Sequence, residues 1–351
     1  MLAKHPYADL EDRAFWRKAV AAEHATMLKA LFDGMPDITN MKIATAGSCF
    51  AQHIGRALRN RGLKYMDYEP APTFLNAAQA DRLGYGVYSC RYGNIYTVRQ
   101  LRQLFDEAFG LRTPIDGYWT KDGRVFDALR PGVEPGGFGS LDEARSLRIA
   151  HLRNVQSLLR SVDLFIFTLG LTECWVSTQD ETAYPIAPGV QAGQFVPERY
   201  QFRNFRYPEI QQDMVGFIEA VRHINPEARF LLTVSPVPLA ATASGNHVLV
   251  ATTYSKSVLR SVAGDLAADI PGVFYFPSYE IITGQPARHM YYNPDLRTVC
   301  KAGVTEVMRH FFEGTPSVAS TPIQSNTPAV AQADVEGFEH CDEILLDGGA
   351  R

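Results

Sequence analysis

Met41-Lys42-Ile43-Ala44-Thr45-Ala46-Gly47-Ser48-Cys49-Phe50-Ala51 carries the strongest fold signal in the chain. The run up to Ala46 is short and apolar and reads as a central strand; Gly47 ends it. From Phe50 to Arg61 the apolar residues Phe50, Ile54 and Leu58 recur at i, i+4 and i+8, which predicts a helix, and Gly62 is placed to stop it. Residues 41–62 thus form strand, tight turn and helix, with Ser48 in the turn. A serine there lies at the amino end of the helix, where backbone N–H groups and the helix dipole favour a developing oxyanion. Serine is also a preferred helix cap, and spacing alone leaves the two readings level.

Outward from this unit, Val162–Leu169, Arg229–Ser235 and Val273–Phe276 are further strand candidates rich in Val, Leu, Phe and Thr. Helical stretches separate them. Ser140–Arg160 opens with the capping-box pair Ser140 and Glu143, and Glu209–His223, Tyr254–Ala268 and Ala302–Phe312 follow. This alternation predicts an α/β fold, a three-layer parallel sheet with helices on both faces. Tyr96–Phe109 reads as helix. Gly117–Gly139, dense in Gly, Pro and Arg, reads as irregular, and Asp180–Tyr207 as a second long loop insertion, the kind of segment that forms binding walls or lids. Residues 8–34 predict one or two helices ended by Asp33-Gly34-Met35-Pro36. The domains expected are a helical N-terminal extension over 1–40, the α/β domain over 41–313, and a flexible polar tail over 314–351. Its Thr315–Asp334 part is rich in Ser, Thr, Pro, Ala and Gln.

The 351 residues suffice for one such domain with insertions. A net charge of −4 gives no electrostatic reason to expect nucleic acid or an anionic membrane. No stretch approaches the roughly 18–20 apolar residues of a membrane span, and the amino terminus lacks a signal-peptide core. The five cysteines are scattered, with neither disulfide-framework nor metal-site spacing. A cytoplasmic protein is therefore expected. Phosphate-loop, dinucleotide and His-Glu-x-x-His motifs are missing, so neither a metal nor a dinucleotide is expected. Nothing in the sequence speaks to oligomeric state.

In a doubly wound sheet, sites form beyond the carboxyl ends of the strands. The segments there are Gly47-Ser48-Cys49, Leu169-Gly170-Leu171-Thr172-Glu173, Ser235-Pro236-Val237-Pro238 and Pro277-Ser278-Tyr279-Glu280. Gly47-Ser48-Cys49-Phe50-Ala51, followed by Gln52-His53-Ile54-Gly55, resembles the signature of the GSCFA family, a branch of the SGNH hydrolase-like superfamily. Further segments resemble that family in the same order: Gly93-Asn94-Ile95-Tyr96, Thr168-Leu169-Gly170-Leu171-Thr172-Glu173 with Trp175, Ser235-Pro236-Val237, Ser255-Lys256-Ser257, and Tyr275-Phe276-Pro277-Ser278-Tyr279-Glu280. The resemblance runs over about residues 41–312 and implies an SGNH/flavodoxin-like sheet with Ser48 as nucleophile. It implies oxyanion donors among the backbone N–H groups of Ser48 and Cys49, Gly93 and the Asn94 side chain. Gly170-Leu171-Thr172-Glu173 stands where the superfamily often has Gly-x-Asn-Asp, so Gly170, Thr172 and Glu173 are candidate substrate-binding residues.

The superfamily usually supplies its base and orienter from one Asp-x-x-His segment. The similar place here is Asp295-Leu296-Arg297-Thr298, with Thr where His is expected. A serine needs a base near neutral pH, so another histidine is sought. His247, in the Pro238–Thr253 loop on the site edge, ranks first, then His289, six residues before Asp295, then His53. His24, His151, His223, His310 and His340 read as structural or surface residues. Cys49, a thiol at a helix amino end, is a second candidate nucleophile, although cysteine is also a common core residue. Lys256, Arg297, Arg288 and Arg91 are candidates to bind a carboxylate or phosphate, or else form a solvated face. The expectation is an esterase, or an O-acyltransferase, acting on acyl esters of a small-molecule or glycan substrate. Hydrolysis needs no cofactor; transfer would use acetyl-CoA or another acyl donor. The other class of function is a binding module that kept the fold and lost the base.

Overall fold

A computed structural model describes residues 5–315 and 341–346. In chain order the elements are β1 (Ile43–Gly47), α1 (Ala51–Asn60), α2 (Ala77–Arg82), α3 (Val98–Ala108), β2 (Tyr118–Lys121), β3 (Arg124–Asp127), α4 (Leu141–Ser161) and β4 (Leu164–Leu169). There follow β5 (Glu173–Ser177), β6 (Ala183–Tyr184), β7 (Tyr200–Asn204), α5 (Tyr207–Ile224), β8 (Arg229–Val234), α6 (Val248–Asp269), β9 (Val273–Phe276), α7 (Ser278–Thr283) and α8 (Lys301–Glu313).

The central sheet is parallel, in the order β1-β4-β8-β9. Each of its strands falls on one of the four apolar runs singled out in the sequence. Alternate residues of each strand enter opposite cores. Phe165, Phe167, Phe230 and Leu232 join Leu101 of α3, Leu158 of α4, Phe217 of α5 and Leu259 of α6. Leu164, Ile166 and Leu231 join Ile54 of α1, Ile281 of α7 and Phe311 of α8 on the other face. Both faces are covered, which is why the strands read as continuous apolar runs.

Beyond β1, a single parallel bridge pairs Ile43 with Tyr65, held by Ile43 N–H to Lys64 O (2.9 Å) and Met66 N–H to Ile43 O (2.8 Å). The chain leaves β1 through α1 to this edge, then crosses back to β4 on the opposite side of β1. The order therefore reverses between β1 and β4, and a crevice opens at their carboxyl ends. Ser48 and Gly170 are the residues that follow these two strands.

Several loop expectations are corrected. Gly117–Gly139 is not irregular: β2 and β3 form an antiparallel hairpin around Asp122-Gly123, both at positive φ (51° and 73°), the backbone a two-residue hairpin turn requires. The Asp180–Tyr207 insertion contributes β6 and β7, which flank β5 in a three-stranded antiparallel sheet. Trp119 and Phe126 of the hairpin and Tyr184 and Tyr200 of that sheet share a small core of their own. The Pro238–Thr253 loop is shorter than expected, because α6 starts at Val248. Residues 8–34 hold only short turns, at Asp12–Ala14, Arg17–Ala21 and Ala25–Met27. Beyond Thr315, the Thr315–Asp334 stretch lies outside the described residues. Among the described residues no helix is long and apolar enough to cross a membrane.

Candidate active site

Gly47 has φ 134°, and a Cβ there would come within 2.4 Å of Thr168 O, so only glycine lets β1 end this close to β4. Ser48 N–H donates to Thr168 O (3.1 Å) and is thereby removed from the candidate oxyanion donors. The Ser48 carbonyl accepts from Ala51 N–H (2.9 Å) as the chain turns into α1. Phe50, not Ser48, occupies the cap position of α1, and no side chain caps that helix. Ser48 is 3% exposed and its Oγ has no hydrogen-bond partner among the described residues. Neither do the buried hydroxyls of Thr168 and Thr172. Buried hydroxyls without partners are rare in folded proteins, and these three gather at the ends of β1 and β4, which marks a place for a ligand.

Opposite Ser48 lies Gly170, where a Cβ would stand 2.9 Å from Ser48 Cβ and 3.1 Å from Tyr96 O. The N–H groups of Gly170 and Leu171 both donate to Tyr96 O, while Ile95 N–H donates to Gly47 O (2.9 Å). The Gly93–Tyr96 loop is thus stitched to both strand ends. Gly93, at φ 67°, packs beside Arg130 and shapes that loop. The Tyr88 hydroxyl, 2.6 Å from Asn94 Oδ1 and 3.2 Å from Ser48 O, fixes the Asn94 amide so that its Nδ2 faces outward. That Nδ2 donates to Asp342 Oδ2 at 2.8 Å.

Lys256, on α6, is 1% exposed and its Nζ donates to Gly170 O at 2.7 Å. Burial lowers its pKa to about 8, with the nearby Glu343 carboxylate and Cys49 pulling the other way and Arg297 adding to the drop. Next to it, Ser255 Oγ accepts from Thr172 N–H (3.1 Å). The Glu173 carboxylate accepts from the Thr242 hydroxyl, and burial raises its pKa. Cys49 is buried, and its thiol hydrogen-bonds Cys341, whose own pKa that contact lowers. Arg297 NH2 donates to Glu343 Oε2 (2.9 Å). Leu171, Trp175, Tyr184, Ile186, Phe202 and Leu239 line an adjoining cleft of about 200 Å³.

The structure brings together Ser48, Cys49, Asn94, Gly170, Thr172 and Lys256, with Glu173 on the cleft wall. Among the described residues it does not bring a histidine to Ser48. His247 is exposed and caps α6, its Nδ1 accepting from Leu249 N–H at 3.2 Å. His289 is exposed at φ 61°, and the His53 ring packs edge-on against Phe50. The Asp295 carboxylate accepts from the N–H groups of Arg297 and Thr298 and from the Thr298 hydroxyl, so it braces its own turn. Arg91 is tied to Leu83 O, Val133 O and Glu134 away from this crevice, and Arg288 is exposed. Tyr88, Asp342 and Glu343 were not singled out in the sequence and carry no motif; Tyr96 stands in the Gly93-Asn94-Ile95-Tyr96 segment, but no role was expected of it.

A doubly wound α/β protein with its polar groups converging on a buried serine at the switch point is the class that fold and site define. The model of the GSCFA family matches residues 42–311, and the chain belongs to the GSCFA family. No curated protein matches it.

Proposed function

We propose that this protein is an SGNH-like serine esterase or O-acyltransferase acting on acyl, foremost acetyl, esters of a carbohydrate or small molecule. The observation that carries this reading is the Ser48 hydroxyl: buried, without a hydrogen-bond partner among the described residues, and at the switch point of the sheet. Ser48 Oγ attacks the acyl carbonyl, and the developing oxyanion takes the place of the carboxylate oxygen now on Asn94 Nδ2. Lys256 serves as the base, a buried amine held by the carbonyl of the glycine that approaches Ser48. Its neutral amine takes the serine proton and gives it to the leaving alkoxide, leaving an acyl-serine. A water or sugar hydroxyl then loses its proton to Lys256 and attacks that ester, and the proton returns to Ser48 as the acyl bond breaks. The first acceptor gives hydrolysis; the second gives transfer from a donor such as acetyl-CoA in the cytoplasm. Trp175, Tyr184 and Phe202 give the cleft the aromatic faces against which sugar C–H groups pack.

That no histidine of the described residues stands beside Ser48 favours a second reading, a binding module without turnover. A fluorophosphonate probe separates the two. It is applied to the intact chain and to an Asp342→Ala/Glu343→Ala variant whose carboxylates no longer stand over the site. The enzyme reading expects labelling that Ser48→Ala abolishes; no labelling of either chain leaves the binding module.

A further inference from the structure

In the last described segment, Cys341–Leu346, an acid is buried more deeply than two leucines. Glu343 is 7% exposed, whereas Leu345 and Leu346 are 41% and 40% exposed. A short segment held by the hydrophobic effect buries its leucines and leaves its acids in water. Here the acids go in, and each meets a donor of the site. Asp342 N–H donates to the Tyr96 hydroxyl (3.0 Å), and Asp342 Oδ2 accepts from Asn94 Nδ2. Glu343 Oε2 accepts from Arg297 NH2, and Glu343 Oε1 from Ala240 N–H at 3.4 Å. The Cys341 thiol lies against Tyr96 OH (3.9 Å) and Arg297 NH2 (3.8 Å). Burying a carboxylate is unfavourable unless a fixed cation or donor receives it. The groups that receive the two carboxylates belong to the body of the domain, and the tail supplies the anions.

Arg297 is the centre of this arrangement. It lies in the Asp295–Thr298 turn, its side chain is 13% exposed, and its Nε is buried with no hydrogen-bond partner among the described residues. Glu343 therefore leaves the Nε donor of the guanidinium fork unused, and a planar two-oxygen anion set square to the fork would engage Nε and Nη2 together. We infer that Arg297 forms an anion subsite beside Ser48 that takes a carboxylate of the substrate, and that the tail's Glu343 occupies it as an internal competitor. That the anion is a substrate's rests on the Ser48 reading; the subsite and its competitor do not. Since a docked tail and a bound substrate anion exclude each other, the apparent affinity for the anion falls by the fraction of molecules with the tail undocked.

The test titrates malonate and inorganic phosphate calorimetrically into the intact chain, Glu343→Gln, and Glu343→Gln/Arg297→Lys, each first checked by thermal melt for folding. Malonate should bind Glu343→Gln about tenfold or more tighter than the wild type, and the arginine replacement should remove that gain. Equal binding to wild type and Glu343→Gln, or a gain that survives loss of Arg297, overturns the inference; tighter binding of phosphate than malonate overturns the carboxylate assignment. A second readout needs no substitution. Malonate should speed alkylation of Cys341 by iodoacetamide, read by peptide mass spectrometry, as the tail leaves, and an unchanged rate counts against competition. Malonate binding without any fluorophosphonate labelling of Ser48 would keep the anion subsite and remove only the serine chemistry.

Discussion

Lys256 is the residue on which the proposed chemistry turns. An amine in water stays protonated far above neutrality, but burial brings this one to about 8 against the opposing pull of Glu343 and Cys49. Only the neutral amine accepts the serine proton, so kcat/KM on an aryl acetate should rise with pH through about 8. A histidine base would place that limb near the ordinary imidazole value of about 6.5. Lys256→Met should lower turnover by roughly 10²–10⁴-fold, the usual contribution of a positioned base. His247→Ala should leave turnover unchanged and lose about 1 kcal/mol of stability with the helix cap it forms. A pH–rate profile of the three proteins decides, and a limb near 6.5 that His247→Ala abolishes would transfer the role to that histidine. At this scale Ser48 was legible, because a glycine-serine turn between strand and helix is a local pattern. The base proposed for it was not, since a lysine at helical spacing looks like any solvated lysine until the fold buries it.

At the scale of elements, the hairpin is pinned to the domain by buried charge. Asp127 at the end of β3 receives Arg130 Nε (2.7 Å) and Arg148 NH1 of α4 (3.1 Å), and Arg148 also pairs with Glu107 of α3. Burial pushes the Asp127 carboxyl up, but Arg148 and Arg130 outweigh it and hold it at about 2. Removing one partner of such a group strands the others in low dielectric. Arg148→Met should therefore cost about 3–5 kcal/mol in denaturant unfolding; a cost below about 1 kcal/mol would show the group to be dispensable. The helix α4 was legible to within a residue, since Ser140 Oγ does accept from Glu143 N–H at 3.1 Å. Glu143, however, reaches Gly139 N–H and not the cap residue's own. The hairpin was hidden by the Gly and Pro around it, although Asp122-Gly123 is the dipeptide a two-residue turn prefers. The sheet of β5, β6 and β7 left no periodic signal: β5 is nearly buried throughout and β6 has two residues.

At the scale of the molecule, residues before β1 close one face of the sheet. Ala25, Phe32, Met35 and Ile38 join the second core, and the Phe32 ring packs edge-on against Phe276 at 5.0 Å and near Phe311. A Cβ on Gly314 would collide with Phe32, so the start of the chain and the end of α8 fit with no space to spare. Phe32→Ala should destabilise the whole protein by about 3–5 kcal/mol and lower a single cooperative melt. Two separated transitions would show instead that the N-terminal segment unfolds independently. The sequence by itself determined the four parallel strands, the helices between them and the turn at Ser48, because each is written in contiguous residues through apolar runs, caps and glycine. Only the tertiary structure decided what surrounds Ser48. Asn94, Gly170, Lys256, Arg297 and the acidic tail are distant in the chain, and they meet because the strand order reverses at β1. How deeply each is buried, and hence which charge it carries, is a property of that meeting and of no segment alone.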